Sequence, residues 1–493
     1  MRGRGDILLV STYELGHQPS GIAFPKAFLE RAGFRPVALD LAVEALDLAV
    51  EARIRAARLV VFSVPMHTAL RLALRAAERV RALNPVARLA FHGLYALLQA
   101  PLLRSRGACA VLGGECEEDL VALAQALERG EDPSGFRREG AAGATMAKLD
   151  FPVPSREGLP PPERYARLAD ADGRERLAGH AESTRGCKHL CRHCPIPALY
   201  RGRFFAIPVD AVLEDITRQV AAGVTHVTFG DPDFLNGPRH ALRVAEALHQ
   251  RFPSLTFDFT AKIEHLVRHA SCLRPLREMG AIFVVSAVES LSDRVLSQLC
   301  KGHGRADVYR AFAACRDADL VLRPSLVPFT PWSTLEDYLD LLDVFTAEGW
   351  LASLDPVQLS IRLLVPPGSL LLNGEPGAAS LARRPLRVAL PGQPPAPADV
   401  RGGAPVDPDL RIEAFDEAAL AWRWRHPDPR MDGLQTKVAH VVEDGAARRE
   451  PRERTFERVL RLALAAAGRP HEHVEIAADT GKRAPRLTEN WFC

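Results

Sequence analysis

Glu182-Ser183-Thr184-Arg185-Gly186-Cys187-Lys188-His189-Leu190-Cys191-Arg192-His193-Cys194-Pro195 is the stretch on which the reading of this chain turns. Three of the nine cysteines fall here, with three and then two residues between them. Thiolates are soft ligands, and cysteines this closely spaced hold iron–sulfur clusters. Three ligands for a four-iron cube leave one iron open to a small molecule. Zinc held by the three cysteines with His189 or His193 is the competing reading, because three-cysteine, one-histidine sites are common. A disulfide does not fit. The other six cysteines (Cys109, Cys116, Cys272, Cys300, Cys315, Cys493) have no framework spacing and suit a reducing compartment.

Working outward, strand and helix patterns alternate twice. Before the motif, apolar runs at 6–12, 36–41, 58–65, 87–92 and 108–113 are separated by amphipathic stretches such as 22–33, 68–83 and 115–128. Such alternation implies a parallel sheet with helices on both faces. Ligands bind beyond the carboxyl ends of its strands, here the loops at 12–21, 63–68, 92–94 and 113–117. From 179 to 367 a second series has strand patterns at 180–184, 224–229, 255–260, 281–287, 319–326 and 356–363. Six such units suit a partial parallel barrel, whose chemistry sits at the carboxyl ends of the strands. The cysteine motif follows the first of them.

The fold class expected is therefore α/β. It comprises a Rossmann-like parallel sheet over 1–130, a connector over 131–178 with a short helix near 163–169, and a partial (β/α)6 barrel over 179–370. A Pro/Gly-rich linker over 371–412 leads to a small, mostly helical region over 413–493, with helices at 413–424 and 452–467. Trp422 and Trp424 read as packing residues, and His471-Glu472-His473 as a solvated loop.

With 493 residues, 47% hydrophobic and 25% charged, the composition is that of an ordinary soluble protein. The net charge of +2 selects no polyanionic partner, and only 7 of the 63 basic residues are lysine. No basic block is interleaved with aromatics, so no nucleic-acid partner is expected. No apolar run reaches membrane-spanning length, so neither membrane association nor export is expected, and the cytoplasm is the default.

The motif and its surroundings resemble the radical S-adenosylmethionine superfamily, whose signature is Cys-x3-Cys-x2-Cys after the first barrel strand. The resemblance continues in Phe229-Gly230-Asp231-Pro232-Asp233-Phe234, in Val284-Val285-Ser286-Ala287-Val288-Glu289-Ser290, and in Leu299-Cys300-Lys301-Gly302-His303. The family usually has an aromatic residue where His193 stands. The resemblance implies that Cys187, Cys191 and Cys194 bind a [4Fe–4S] cluster. It also implies that S-adenosylmethionine contacts Gly230, Asp231 or Asp233, Ser286, Glu289, Ser290 and Arg323. An ammonium needs acceptors, and an arginine fork matches a carboxylate; a tight turn with a cap at Asp233, and a cap by Ser290 or Ser292, are the structural alternatives. Arg362 reads equally as a substrate-facing group or a salt-bridge partner.

The implied chemistry is one-electron cleavage of a carbon–sulfur bond to give a 5′-deoxyadenosyl radical. The implied substrate is a small molecule or peptide, and the implied donor a flavodoxin or ferredoxin. The alternative is an iron–sulfur electron-transfer or redox-sensing protein without S-adenosylmethionine turnover.

The first sheet resembles the cobalamin-binding domain of B12-dependent members, on Pro19, Gly21, Phe62–Val64 and Gly113-Gly114-Glu115. The Asp-x-His-x-x-Gly motif is absent, and His17 does not replace it. Either cobalamin binds without a lower histidine ligand or the domain has lost it. The last residues, Pro485-Arg486-Leu487-Thr488-Glu489-Asn490-Trp491-Phe492-Cys493, resemble the CUAEP/CCAEP-tail radical S-adenosylmethionine proteins. There a cysteine precedes selenocysteine or cysteine, then Ala-Glu-Pro. That resemblance implies a selenoprotein cut at a UGA codon, with Cys493 as the first half of a catalytic redox pair.

Overall fold

The computed structural model describes residues 1–133, 136, 144–372, 410–469 and 484–489. Most of the expected linker, His471-Glu472-His473 and Cys493 lie outside the described residues.

Five short apolar runs become β1 (Ile7–Ser11), β2 (Val37–Asp40), β3 (Leu59–Ser63), β4 (Arg88–His92) and β5 (Ala110–Leu112), a parallel sheet in the order β2-β1-β3-β4-β5. Both faces are buried. Ile7 and Leu9 enter one apolar cluster, and Leu8 and Val10 enter another on the opposite face. That is why the strands read as continuous apolar runs without polar alternation.

The second sheet has seven strands. It contains β6 (Arg167–Ala169), β7 (Glu175–Ala181), β10 (His226–Phe229), β11 (Thr256–Thr260), β12 (Ala281–Glu289), β13 (Val321–Leu326) and β16 (Arg486–Leu487), in the order β13-β12-β11-β10-β7-β6-β16. The five from β7 to β13 are parallel, whereas β6 and β16 run antiparallel to their neighbours. β8 (Thr184–Gly186) and β9 (Phe204–Ala206) form a ribbon around the cysteine loop. The sheet is a curled half-barrel whose outer face packs on helices such as Val209–Ala221, Pro238–Arg251 and Arg305–Asp317 in the largest apolar cluster.

The tail segment bridges the two edges of this half-barrel. Leu487 pairs with Leu168 on β6 and packs against Phe283, while the Pro485 carbonyl accepts from Arg323 Nη1 (2.9 Å) on the opposite edge strand, β13.

Three expectations are corrected. The sixth parallel strand over 356–363 is a 3-10 turn, Pro356–Leu359, followed by a single bridge from Phe329 to Arg362. Asp355 caps the turn at Val357, and its proline lacks the donor a strand would need. The helix over 413–424 is a hairpin, β14 (Arg411–Asp416) and β15 (Ala421–Arg425). Trp422 and Trp424 are buried while Arg423 and Arg425 are exposed, a period of two that outweighs local helix propensity. The helix near 163–169 is a 3-10 turn, Pro162–Arg164, leading into β6. The helix Pro429–Ala447 was not anticipated, and Arg452–Ala466 matches the expected 452–467.

Candidate active site

The cysteine loop leaves the carboxyl end of β7. Cys187 and Cys191 are buried and Cys194 is half-buried. Burial pushes the Cys187 thiol up to about 11 and the Cys194 thiol up to about 12, the latter with Cys191 adding to the effect. Two of three neighbouring thiols, Cys187 and Cys194, resist ionisation, which suits a centre whose own positive charge stabilises the thiolates. The donor set therefore fits an iron–sulfur cluster. Asn236 shapes the loop: its Oδ1 accepts from Lys188 N (3.2 Å) and lies 3.9 Å from Cys187 Sγ.

β12 ends beside this loop. Glu289 adopts φ 63°, a left-handed conformation unusual for a side chain of its size, where the ladder to β13 shifts register. Its Oε1 lies 3.0 Å from Lys301 Nζ and 3.2 Å from His193 Nε2. Burial alone would raise this carboxyl, but Lys301 and His193 more than offset it and hold it well below the usual carboxylate range. Burial acts against the Lys301 ammonium, yet Glu289 and the thiols of Cys191 and Cys194 raise it. Sequence reasoning quoted Lys301 without giving it a role. In a chain with so few lysines, one standing two residues before His303 was the available signal.

The other expected site residues are distributed as follows. Asp231 accepts from Ser183 N and Ser183 Oγ (both 2.7 Å) and from Thr184 N (2.5 Å), pinning the end of β10 to the strand exit that leads to Cys187. Gly230 is required by packing, since a Cβ there would stand 2.2 Å from His180 Nε2. Asp233 Oδ1 caps Leu235 N (3.0 Å), while its Oδ2 lies 2.7 Å from His265 Nδ1. Ser290 Oγ accepts from Ser292 N (3.1 Å). Ser286 is fully buried and alternates with the inward-facing Phe283 and Val285, so it lies on the face turned to the helices. Arg323 lines a small cavity with Asp258, Phe283, Asp355, Leu487 and Glu489, and burial lowers it to about 10. Arg362 is structural: it bonds Asp432 (2.7 Å) and stacks on Trp424 (3.6 Å).

A model described as the Radical SAM superfamily matches residues 181–342, which spans the cysteine loop, Gly230–Asp233 and Glu289–Lys301. Residues 181–342 are a radical SAM domain. Its chemistry uses a [4Fe–4S] cluster together with S-adenosylmethionine.

Around this radical SAM domain the whole architecture matches solved structures. One is the cobalamin-dependent S-adenosylmethionine radical enzyme OxsB with aqua-cobalamin and S-adenosylmethionine bound (TM-score 0.63, 14% identity, 89% of this chain and 66% of that one). Another is the radical S-adenosylmethionine methyltransferase TsrM from Kitasatospora setae, with cobalamin and a [4Fe–4S] cluster (TM-score 0.52, 18% identity, 69% and 70%). At these identities the likeness shows the fold. Curated relatives include a tRNA-2-methylthio-N(6)-dimethylallyladenosine synthase of Thermus thermophilus (26% identity, 39% of this chain, 41% of that one). They also include a ribosomal protein uS12 methylthiotransferase of Desulfosudis oleivorans (28% identity, 39% and 46%). The chain thus spans less than half the length of these relatives. Their names specify a tRNA or a ribosomal protein, so the expected absence of a nucleic-acid partner draws no support from them.

The radical SAM domain is wired to the first sheet by Arg185, two residues before Cys187. Arg185 bonds Glu182 (2.9 Å) and Glu117, lies 3.6 Å from Glu115, and stacks over Phe24 (4.4 Å). Burial disfavours its charge, but Glu117, Glu182 and Glu115 raise it well above its ordinary value. Tyr200 donates to Glu115 (2.9 Å) across the same junction. His17 is spent here as well, stacked on His180 at 4.5 Å and lowered to about 4 by burial. Among the described residues, no helix is long and apolar enough to cross a membrane.

Proposed function

We propose that this chain is a radical S-adenosylmethionine enzyme that cleaves its cosubstrate reductively and modifies a small molecule, a peptide or a larger acceptor. The observation that carries the reading is the Lys301–Glu289–His193 cluster set against the three cysteines of the loop. When bound and reduced, the cluster supplies one electron to the sulfonium, and a carbon–sulfur bond breaks. The chain's own residues do the rest. Cys187, Cys191 and Cys194 would hold the cluster. Lys301 keeps a positive charge beside those sulfurs and orients Glu289, whose second carboxylate oxygen remains to accept from a ribose hydroxyl or an ammonium. Backbone at Gly230, Asp231 and Asp233, with Ser290, forms the methionine-side wall. Arg323 is a secondary contact in this proposal, since it is tied to Pro485, and Ser286 is left out of the contact set because it faces the helices. A flavodoxin or ferredoxin is the proposed electron source.

Cobalamin belongs to the proposal only in a form that needs no histidine. The carboxyl edge of the first sheet is lined by small residues, Ser11, Thr12, Ser63 and Gly93; a Cβ at Gly93 (φ 109°) would meet the Val64 carbonyl at 2.8 Å. The histidines at this edge are engaged: His17 by His180, His67 by the Ala419 carbonyl (2.5 Å), and His92, buried at the end of β4, by the Gly21 backbone. The edge fits a group bound without a lower imidazole. The selenoprotein reading of the tail rests on sequence, with Pro485–Glu489 leading to the half-barrel.

Anaerobic reconstitution with iron and sulfide, then dithionite and S-adenosylmethionine, tests the reading. Release of 5′-deoxyadenosine or methylthioadenosine is expected. A fully loaded cluster with no cleavage product would replace it with an electron-transfer or redox-sensing function.

A further inference from the structure

Beside the cysteine loop lies a second group of metal-ligating side chains that the proposed chemistry does not use. His189 comes from the loop itself, Asp233 from the turn after β10, and His265 from the helix Ile263–Arg268 after β11. One ligand atom from each lies within 4.8 Å of the other two. Asp233 Oδ2 is 3.8 Å from His189 Nε2, and His265 can offer one ion either its Nδ1, 2.7 Å from Asp233 Oδ2, or its Nε2, 3.1 Å from His189 Nε2. Ligand atoms around a tetrahedral zinc-sized ion, with bonds of about 2.0–2.1 Å, stand about 3.3 Å from one another.

A hydrogen-bond relay through His265 is the alternative, and it is incomplete. Asp233 Oδ2 and His265 Nδ1 are both buried and, despite their closeness, neither has a correctly directed hydrogen-bond partner. Buried polar atoms without partners are costly and call for an explanation such as an ion. The surroundings also match a metal centre. Glu264 Oε2 lies 3.4 Å from His189 Nδ1, the nitrogen left over if Nε2 binds metal. A carboxylate on the distal nitrogen is the usual support for a metal-bound histidine. Glu264 is itself held by Arg268 (2.7 Å) and Lys262 (3.6 Å), so it orients the ring and does not compete for the ion.

We infer that His189, Asp233 and His265 form a mononuclear site for a divalent first-row transition ion such as zinc or iron(II), distinct from the cluster cysteines. Two imidazoles and one carboxylate select ions of this class over magnesium or calcium. Three protein ligands leave a coordination position open. Because His189 sits between Cys187 and Cys191, the ion would also fasten the cluster loop to the β10 and β11 turns.

The test reads metal content and is independent of S-adenosylmethionine cleavage. The full chain, stripped with chelator and reconstituted anaerobically with iron and sulfide, is given excess Zn2+, desalted and analysed for metals. One zinc per chain beyond the cluster iron is expected. Asp233→Asn keeps the cap on Leu235 and should retain cluster iron while weakening zinc binding at least tenfold; His265→Gln should do the same. A variant with Cys187, Cys191 and Cys194 all replaced by alanine should still retain the zinc. Zn2+ should raise the melting temperature of the unmodified chain but not of Asp233→Asn, which keeps the test decisive if His265→Gln does not fold. Absence of extra zinc, equal retention by Asp233→Asn, or loss of zinc with the cysteines would overturn the inference.

Discussion

Arg185 and Glu117 form a buried ion pair that joins the strand leading to Cys187 to the first turn of the helix Glu117–Glu128 in the other sheet's layer. Removing the cation strands Glu115 and Glu117 in a site closed to water. Breaking a buried pair in this way costs about 3–5 kcal/mol. Arg185→Leu should lower the denaturant midpoint accordingly, and a change below about 1 kcal/mol would show that the carboxylates neutralise without structural cost.

Lys301→Met leaves Glu289 buried without its main counter-charge. The variant should still bind three-cysteine cluster iron, but its yield of 5′-deoxyadenosine should fall at least tenfold. The equivalent loss is about 1.4 kcal/mol or more of transition-state stabilisation. Equal yields from the variant and the parent chain at matched iron content would remove Lys301 and Glu289 from the site.

Glu14 sets a pH dependence. Burial, with Glu182 and Asp40 adding, raises its carboxyl from 4.5 to about 8 against hydrogen bonds from Gly21 N and Ser63 Oγ (both 3.2 Å). Below the unfolded value both states are protonated. Between that value and about 8 the unfolded chain releases the proton while the folded chain keeps it, so stability falls as pH rises. The slope from this group approaches about 1.4 kcal/mol per pH unit. Glu14→Gln keeps an acceptor for Gly21 and should flatten stability against pH from 4.5 to 8, with the largest gain over the parent chain at the alkaline end. Parallel curves for the two proteins would count against it.

Leu487→Asp places a charge where the side chain is 7% exposed between Phe283 and Leu168. A loss of about 2–5 kcal/mol is expected from the missing apolar contact and the unpaired carboxylate together. Limited proteolysis should then cut the tail faster than any loop of the first sheet. Unchanged cleavage would mean that the tail does not hold the edges in solution.

What the sequence made legible was local. The cysteine spacing is a ligand pattern written within eight residues, and the Val, Ile and Leu runs mark buried parallel strands wherever they occur. The hairpin over 411–425 was missed because Trp422 and Trp424 are spaced for a strand in a stretch whose Glu and Ala content favours a helix. Arg185 was quoted only as part of the motif, since nothing nearby in sequence announces Glu115 or Glu117. His189 and His265 are 76 positions apart, and no spacing rule connects them. Asp231 and Asp233 read alike on paper, yet one locks the strand exit and the other faces two imidazoles. Side chains whose partners come from other strands take their roles from the curl of the sheet.

The bridging of the half-barrel's edges has a consequence in time. Arg167 and Thr488, which bond backbone to side chain at the seam, are separated by 321 positions. Contacts between residues so distant in sequence form late, because the intervening loop must first be ordered. Until residues 485–489 have been synthesised, the β6 edge lacks the strand that pairs with it in the finished fold.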